Sequence, residues 1–459
     1  MLGNSPCVKV WRTFTRAAVD CVPVFAWLRA LSASRSALLR SHFCFLLRHL
    51  VALVVLSISF AMHLIRRSSS PEIVLRLACT LALFGAVVLW PRHAQAYPWM
   101  IRHDYTGCAT CHVDPSGGGV LTEYGAAESD ILLRTRYGAS AADPDETSAA
   151  GFLWGAVKPP EWFLPSGSLR TLVLADKVGD AGFTSQLVLM QADVRAAIVK
   201  GGFRAYASLG FVNVDGSAAS VSGGLVSREY WAGWSFAQDA LLLRAGRIDL
   251  PFGIRQIEHV FYVRTSTRTD LNDTQQHGAS LAYSGGLLRG EVMAIAGNYQ
   301  ISPDAYRERG YSAYAEIAPA SNAAFGLSSL VTHAKRDIRI LVPNTRQAHG
   351  AFARWAPVRP VAVLAEADFI AQSGTSSSGY ATLLQADIEP TQGVHLIATG
   401  ENMKEGGTVV GTSWSGWLGA GWFFAPHADV RFDFNKQSYA LGKGHLSETA
   451  LMLQFHVYL

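Results

Sequence analysis

The chain has 459 residues, a formal net charge of +4, 49% hydrophobic residues and 16% charged residues. A charge this small gives little attraction for a phosphate backbone, so we expect no nucleic-acid partner. The charged fraction lies below the roughly 25% that is usual in soluble globular domains. The length allows two or three domains, and the composition argues against an ordinary soluble enzyme.

The first 96 residues are predicted to be a signal and targeting region. Met62 precedes the three features of a secretory signal peptide. These are a basic start with Arg66, Arg67 and Arg76, an apolar stretch at 77–89, and a small-residue cleavage site at Ala94-Gln95-Ala96. We predict cleavage after Ala96, and we interpret residues 1–61 as an over-extended start. The alternative is a membrane anchor, although the apolar run 46–58 is shorter than the roughly 20 residues of a spanning helix.

The pentapeptide Cys108-Ala109-Thr110-Cys111-His112 has the spacing that attaches c-type haem. Each thiol can form a thioether to one haem vinyl group, and His112 is then placed to bind the iron as proximal ligand. Cleavage after Ala96 would leave Cys108 and Cys111 as the only cysteines of the mature chain. The sequence therefore predicts one covalent haem c.

The motif allows two other interpretations. A zinc site needs two more soft ligands, and no cysteine follows Cys111. A thioredoxin-like dithiol does not need the histidine and usually lies in a βαβ context, which is missing here. Both fit the sequence less well than haem attachment.

The second axial ligand of the iron is left open by the sequence. His103 and Met100 both lie just before the motif, and His103 is our first choice. The other candidates are three residues of the predicted barrel, His395, His456 and Met190. The iron could also keep an open position. Three arginines are candidates for pairing with haem propionates or are solvated surface charges, namely Arg102, Arg134 and Arg136.

Residues 97–150 are predicted to be the haem-binding segment and its linker. A short helix is expected within 120–136, and the small, acidic, proline-containing stretch 139–150 is typical of a linker. A segment of about 50 residues buries too little surface to shield a haem alone. Something else must cover the haem.

Residues 151–459 are predicted to form an outer-membrane β-barrel. Apolar and polar residues alternate along many segments, as in 363–369, 384–389 and 430–435. Short and long connections also take turns along the chain, the longest being 250–275, which is typical of periplasmic turns and extracellular loops. We predict about sixteen antiparallel strands. The alternative is a large soluble β-sandwich or propeller, but no repeat of propeller length is present.

The carboxyl-terminal strand and the tryptophans fit the same prediction. Residues 451–459 alternate to the last residue, which resembles the terminal strand of outer-membrane barrels, although those usually end in Phe or Trp and this chain ends in Leu459. Aromatic girdles are expected at the two membrane interfaces, with six candidates: Trp231, Trp234, Trp355, Trp414, Trp417 and Trp422. By resemblance to general porins, 250–275 would fold inward and carry Arg255, Arg264 and Arg268 to a constriction.

A haem motif followed by a barrel resembles the fused outer-membrane cytochrome–porin family, whose best-known members are iron-oxidising cytochromes. The matching residues are the CxxCH motif, Leu121-Thr122-x-Tyr124-Gly125 and Tyr137-Gly138. The resemblance implies an electron-transfer protein of the outer membrane, with iron oxidation as one form. Its partners would be a periplasmic cytochrome or other redox carrier, an extracellular electron donor or acceptor, and membrane lipid. The insert Ser116–Gly119 departs from the iron oxidisers and leaves the donor open. The alternative function is a diffusion porin with a periplasmic haem-bearing arm.

Overall fold

The structure is a computed structural model that describes residues 97–137, 151–211, 225–406, 411–442 and 444–459. The predicted signal region 1–96 and the predicted linker 139–150 lie outside the described residues, so the predictions for both stay predictions. Among the described residues, no helix is long and apolar enough to cross a membrane.

Antiparallel strands make up most of the described chain, and they pair in the order of the sequence. They are β1 Phe163–Val178, β2 Thr184–Lys200, β3 Phe203–Phe211, β4 Leu225–Val226, β5 Tyr230–Phe236, β6 Leu241–Ile248, β7 Gln276–Ser284, β8 Leu288–Gly297, β9 Arg309–Ala320, β10 Ala323–Ala334, β11 Asn344–Val358, β12 Val361–Gln372, β13 Ser377–Thr391, β14 Val394–Lys404, β15 Ser413–Ala425, β16 Ala428–Leu441 and β17 Gly444–Tyr458. The helices are a 3-10 helix at Pro98–His103, α1 at Glu123–Leu133, α2 at Tyr262–Thr267 and a 3-10 turn at Asp304–Tyr306.

The sheet closes into a barrel because β1 pairs with β17 on one side and with β2 on the other. The short strands β4 and β5 both pair with β3, so together they form one position in the wall. The 17 strands therefore occupy 16 positions, which confirms the predicted architecture of about sixteen antiparallel strands.

The two faces of the wall have opposite character. Side chains that point into the barrel are mostly polar and buried, including Glu316, Glu366, Asp387 and Asp433. Side chains that point outward are apolar and exposed, such as Leu327, Leu384 and Leu418 at 67%, 59% and 61% exposure. A closed barrel with an apolar exterior leaves no unpaired sheet edge in lipid, and this is the architecture of outer-membrane proteins.

The connections confirm the predicted alternation. At one end of the barrel, seven turns of two to four residues join the strands, among them 201–202, 321–322 and 392–393. At the other end the connections reach 27 residues in 249–275. One connection at this end is short, because β16 ends at Leu441 and β17 already begins at Gly444. By the rule for such barrels, the short turns mark the periplasmic end.

Residues 249–275, which we call the inner loop, fold into the barrel lumen. Their backbone N–H groups donate to side chains of the wall, from Gly253 to Ser328 at 2.9 Å, from Ile254 to Glu366 at 2.9 Å and from Tyr262 to Glu401 at 2.6 Å. This agrees with the inward fold that the porin resemblance implied. Each wall acceptor is a lumen side chain of a different strand, so the loop spans a broad sector of the wall.

The three arginines of the inner loop do not supply free positive charge. Arg264 pairs with Glu366, Arg268 pairs with Asp337 at 2.9 Å, and Arg255 approaches Glu291 at 3.4 Å. These carboxylates neutralise the arginines because an unpaired charge would be costly in a buried site. The expectation of a cationic constriction was therefore wrong for these side chains.

Two of the six tryptophans expected in the girdles face the lumen instead. Trp231 is 4% exposed, and the indole of Trp417 donates to Glu401 at 2.8 Å and packs edge-on against Phe261 of the inner loop. The other four, Trp234, Trp355, Trp414 and Trp422, are exposed on the outer surface as expected.

Candidate functional site

Residues 97–137, which we call the plug, lie inside the periplasmic half of the barrel. The side chain of Asp104 accepts from Ser321 at 2.7 Å, and the backbone N–H of Thr135 donates to Phe423 O at 3.0 Å. The side-chain amide of Gln392, at another periplasmic turn, donates to the carbonyl of Ile131 at 2.7 Å. The plug is thus fastened to several periplasmic turns of the barrel.

The 3-10 helix of the plug packs against β11 to β14. Arg102 forms an ion pair with Asp387 and also donates to Pro360 O at 3.3 Å. Trp99 lies against the ring of His395 with the ring centres 4.5 Å apart. Ile101 is fully buried in a small cluster with alanines of the wall. A charged and an aromatic side chain therefore lock this helix in place.

The CxxCH motif forms a tight turn. The backbone N–H groups of Cys111 and His112 both donate to Cys108 O, at 3.2 and 3.0 Å. The chain after the motif turns back and runs antiparallel to it. His112 and Leu121 form an isolated antiparallel β-bridge, and the Thr122 N–H donates to Cys111 O at 2.7 Å. The turn holds both thiols and the histidine in one short, ordered segment.

Helix α1 packs against this turn through Thr122 and Gly125, two residues of the pattern shared with the cytochrome–porin family. Thr122 caps the helix, because its hydroxyl accepts from the Gly125 N–H at 3.0 Å and donates to Thr110 O at 3.1 Å. Gly125 passes against the motif so closely that an added Cβ would lie 2.7 Å from Cys111 Cα. Only glycine allows this approach.

A hydrogen bond at one ring nitrogen of His112 fixes the orientation of the imidazole. Its Nδ1 lies 3.1 Å from Gly118 O, and since a carbonyl only accepts, Nδ1 carries the proton and Nε2 carries the lone pair. Burial lowers the pKa of His112 to about 4, so the ring is neutral at physiological pH. A neutral imidazole with its second nitrogen hydrogen-bonded to a carbonyl is the form that binds metals.

The insert Ser116–Gly119 makes this arrangement possible. Gly117 and Gly119 have φ angles of 84° and 74°, which favour glycine. An added Cβ at Gly119 would lie 2.6 Å from the Tyr206 hydroxyl of the barrel wall. The glycines therefore let the turn that supports His112 pass beside the wall.

Burial disfavours the thiolate form of both cysteines. Burial raises the pKa of Cys108, and burial raises the pKa of Cys111 to about 12. Reactive thiols have lowered pKa values instead. Within the described ranges, no group of three or more His, Cys, Asp or Glu is arranged to hold a metal ion.

Asp114 anchors the motif to the barrel wall, and sequence reasoning missed it. This fully buried carboxylate accepts from the Trp231 indole at 2.9 Å and forms an ion pair with Arg244, which also binds Glu291 at 2.8 Å. Burial by itself raises the pKa of Asp114, but the Arg244 charge and the hydrogen bonds from Glu229 and Ser116 outweigh it and hold the pKa well below its usual value. An acid in a glycine-rich turn gives no sequence signal of such a partner.

A second anchor joins Thr106, two residues before the motif, to arginines of β8 and β11. The Thr106 hydroxyl accepts from Arg289 at 2.7 Å, and its carbonyl accepts from Arg354. Both arginines also bind Glu316. The region between Thr106 and Asp114, which contains the whole CxxCH motif, is thus held at both ends by buried arginines.

The candidates for a second axial ligand differ in how their atoms are used. His103 Nε2 lies 3.0 Å from Glu389, and Met100 is 3% exposed within the 3-10 helix. Both nitrogens of His456 are engaged, with Asp429 at 2.9 Å and Ser168 at 3.1 Å. The His395 Nδ1 contacts Asp387 at 3.0 Å, while its buried Nε2 has no partner among the described residues. Met190 lies on β2. The choice of His103 or Met100 stays a prediction.

The arginines first considered for haem propionates are used elsewhere. Arg102 is taken by Asp387, and Arg134 binds Asp130 of α1 at 2.8 Å. Arg136 approaches the same Asp130 at 3.6 Å. These three side chains stabilise the plug and its docking.

Comparison with known proteins shows similarity in the barrel fold only. No protein-family model and no curated protein sequence matches the chain. Among solved structures, in-vitro folded OmpT of Vibrio cholerae matches 66% of this chain and 99% of its own with 11% identity and a TM-score of 0.49. The anion-selective porin from Comamonas acidovorans matches 65% and 99% with 11% identity and a TM-score of 0.48. The channel DcaP of Acinetobacter baumannii matches 65% and 97% with 10% identity and a TM-score of 0.48. What the chain does must be inferred from its own residues.

Proposed function

We propose that the chain is an outer-membrane electron-transfer protein with one c-type haem, attached through Cys108 and Cys111 and bound at the iron by His112. The observation that carries this proposal is the orientation of His112, whose Nδ1 is fixed by Gly118 O so that Nε2 is the nitrogen left to bind iron. The haem, when bound, supplies a one-electron redox couple.

The barrel supplies the cover that a segment of this size lacks. The plug fills the periplasmic half of the lumen, and the inner loop enters from the other side until Arg255 donates to Pro115 O at 3.5 Å. Buried ion pairs to Arg102 and Arg244 hold the plug against the wall. These contacts hold the motif inside the barrel, where the wall separates it from lipid.

The position of the motif supports exchange of single electrons between the two sides of the membrane. One partner would be a periplasmic cytochrome or other redox carrier that meets the plug at the periplasmic turns. The other would be an extracellular donor or acceptor, and ferrous iron is the donor that the family resemblance suggests. A dangling haem arm on an open porin is the competing function, and the many contacts between plug and lumen count against it.

The test begins with haem content. The wild-type protein purified from outer membranes should give haem-linked peroxidase staining in a denaturing gel, and Cys108→Ala or Cys111→Ala should abolish it. Thr110→Ala is the matched control within the motif, because it keeps both cysteines, His112 and the Thr110 carbonyl that accepts from Thr122. Staining that survives both cysteine changes contradicts covalent attachment.

The second step tests electron transfer in proteoliposomes that enclose an oxidised acceptor, with a membrane-impermeant reductant outside. The wild-type protein should reduce the enclosed acceptor, and Cys108→Ala should not. A haem-loaded wild-type protein that conducts ions like an open porin and transfers no electrons would favour the porin with a haem arm.

A further inference from the structure

The outward face of strands β9 to β13 carries a groove of about 840 Å³. Its lining combines small side chains with larger ones, namely Ala315, Ala351 and Ala367 with Leu327, Phe369 and Tyr380. All six are exposed on the outside of the wall. The whole lipid-facing wall of such a barrel is apolar, so the concave shape, more than the hydrophobicity, distinguishes this sector.

The register of two neighbouring strands creates the concave shape. Ala351 of β11 faces Ala367 of β12, and the next outward pair toward the periplasmic end is Ala353 with Ala365. Four small side chains therefore lie together in one block of the wall. Leu327 of β10 faces Ala351 from the other side and is 67% exposed, so the surface rises beside the block. The block follows the strand direction, as an extended acyl chain would.

Polar groups lie in the groove on the side nearer the extracellular end. The Ser329 hydroxyl is 3.0 Å from the Tyr311 hydroxyl and 3.0 Å from His349 Nδ1. Ser329 and His349 both line the groove. A polar side chain that faces hydrocarbon is costly unless it is hydrogen-bonded. The exposed imidazole of His349 therefore suits a ligand with polar groups at this depth, such as the esters and amides that join acyl chains to a lipid headgroup.

Basic side chains collect beyond the extracellular ends of β9 and β10. Arg307 and Arg309 share the carboxylate of Asp304, at 3.2 and 2.5 Å. Two more exposed cations, Lys335 and Arg336, directly follow β10. The backbone N–H of Arg336 donates to the carbonyl of the residue after Asp304 at 2.8 Å, which places this pair beside the same turn. Four cations thus surround one exposed carboxylate in this described part of the rim.

This cationic rim lies on the same outer face as the groove. The carboxylates next to it in the sequence, Glu308 and Asp337, pair with buried arginines of the lumen instead. Side chains alternate along a strand, and Arg309 and Lys335 are each an even number of residues from the groove residues of β9 and β10. Both cations therefore project outward above the groove. An apolar groove below a positive rim matches a lipid with acyl chains and a phosphorylated headgroup.

We propose that this face binds a phosphorylated lipid of the outer leaflet, of the lipopolysaccharide class, with an acyl chain in the groove and a phosphate on Arg309 and Lys335. The extracellular half of an outer membrane is the leaflet that holds lipopolysaccharide, and guanidinium and ammonium groups are the side chains that bind phosphate. A second copy of the chain is the other occupant that such a groove could take. A two-fold contact joins the same patch of each copy, so it would bring two positive rims together, and their repulsion counts against it.

The experiment titrates the delipidated full chain in detergent with purified lipid A, the membrane-embedded part of lipopolysaccharide, and counts bound lipid by native mass spectrometry. Ala351→Phe fills the groove and should remove most of the bound lipid. Ala245→Phe is the matched control, because Ala245 is also an exposed, outward alanine but lies on β6, outside the groove. It should bind lipid A like wild type. Gel mobility checks that each barrel is folded.

A second pair of variants tests the charge. Lys335→Gln should weaken lipid A binding about fivefold, since a basic side chain near an anionic lipid contributes about 1 kcal/mol. Adding Arg309→Gln should weaken it further. Lys200→Gln is the control, because Lys200 is exposed at the end of β2, beside a periplasmic turn. It should leave binding unchanged.

The proposal requires both test variants to lose binding and both controls to keep it, and any other pattern overturns it. Phosphatidylglycerol, which has a phosphate but fewer acyl chains, should bind more weakly than lipid A, and equal binding also overturns the proposal. Wild-type oligomers that Ala351→Phe dissociates would assign the groove to a second copy instead. Haem staining should be the same in all these variants, so the result is independent of the proposed function.

Discussion

Replacing Asp114 with alanine should loosen the plug without unfolding the barrel. The change removes a fully buried carboxylate that accepts from Ser116 N–H and the Trp231 indole and pairs with Arg244. Breaking a buried ion pair costs about 3–5 kcal/mol. Arg244 keeps Glu291 at 2.8 Å, so the lower end applies. A loss of about 3 kcal/mol in docking free energy corresponds to a roughly 150-fold larger undocked population.

Single-channel recording in planar bilayers measures that population as the fraction of time the pore conducts. The wild-type protein should be closed almost always, and Asp114→Ala should open about two orders of magnitude more often. Asp104→Asn is the matched control, because Asp104 is exposed and its carboxylate is described with one side-chain partner, Ser321 at 2.7 Å. It should open at nearly the wild-type frequency. Equal open fractions for Asp114→Ala and wild type, with both barrels folded by gel mobility, would refute the anchoring role.

The same contact predicts a dependence on pH. Because the pKa of Asp114 is held below its usual value in the docked state, its contribution is complete above the ordinary aspartate pKa of about 3.9. The contribution is lost as pH falls below that value. Openings of the wild-type channel should therefore rise in acid, and the rise should be weaker in Asp114→Ala. A variant with the full wild-type acid response would show that other groups cause it.

The remaining predictions concern the plug and the topology. Gly125→Ala should cost about 1–3 kcal/mol of plug packing through its clash with Cys111 and lower haem staining, whereas Ser129→Ala on the same helix should not; equal staining would contradict the close approach. Deleting residues 97–137 should raise conductance and remove haem staining together, and an unchanged conductance would show that the plug does not block the pore. Cysteine labels at Gly201 and Gly285 should react only from the periplasmic side and a label at Arg336 only from outside; one shared side would contradict the topology.

The barrel was largely predictable from the sequence because the two faces of its wall lie in different environments. Lipid outside and polar contacts inside impose a period of two on every strand, as in 384–389, and a connection must appear wherever a strand leaves the membrane. Strand ends were less predictable, since β16 and β17 continue through residues that resemble a polar loop. The Thr122 and Gly125 pattern was visible as a motif, and its cause emerged only from the contact with Cys111.

The interior of the lumen was not predictable in the same way. Trp231 has the pattern of a girdle residue, but its indole serves Asp114, which lies 117 positions away in the chain. Similarly, the sequence predicts Arg264 to be a free charge on a loop, whereas in the structure it pairs with Glu366 of the wall. Such pairs depend on which surfaces meet inside the closed barrel, and neither local composition nor periodicity records that meeting.

The position of the plug ahead of β1 sets an order for biogenesis. Cys111 is only 3% exposed once the barrel has closed around it, and the closure is made by the last strand, β17, pairing with β1. The covalent haem proposed above can form only while both thiols are accessible. Haem attachment would then have to come first, while the chain is still held unfolded in the periplasm, and insertion of the strands would seal the finished cofactor inside. A chain inserted before attachment would be trapped in an empty form.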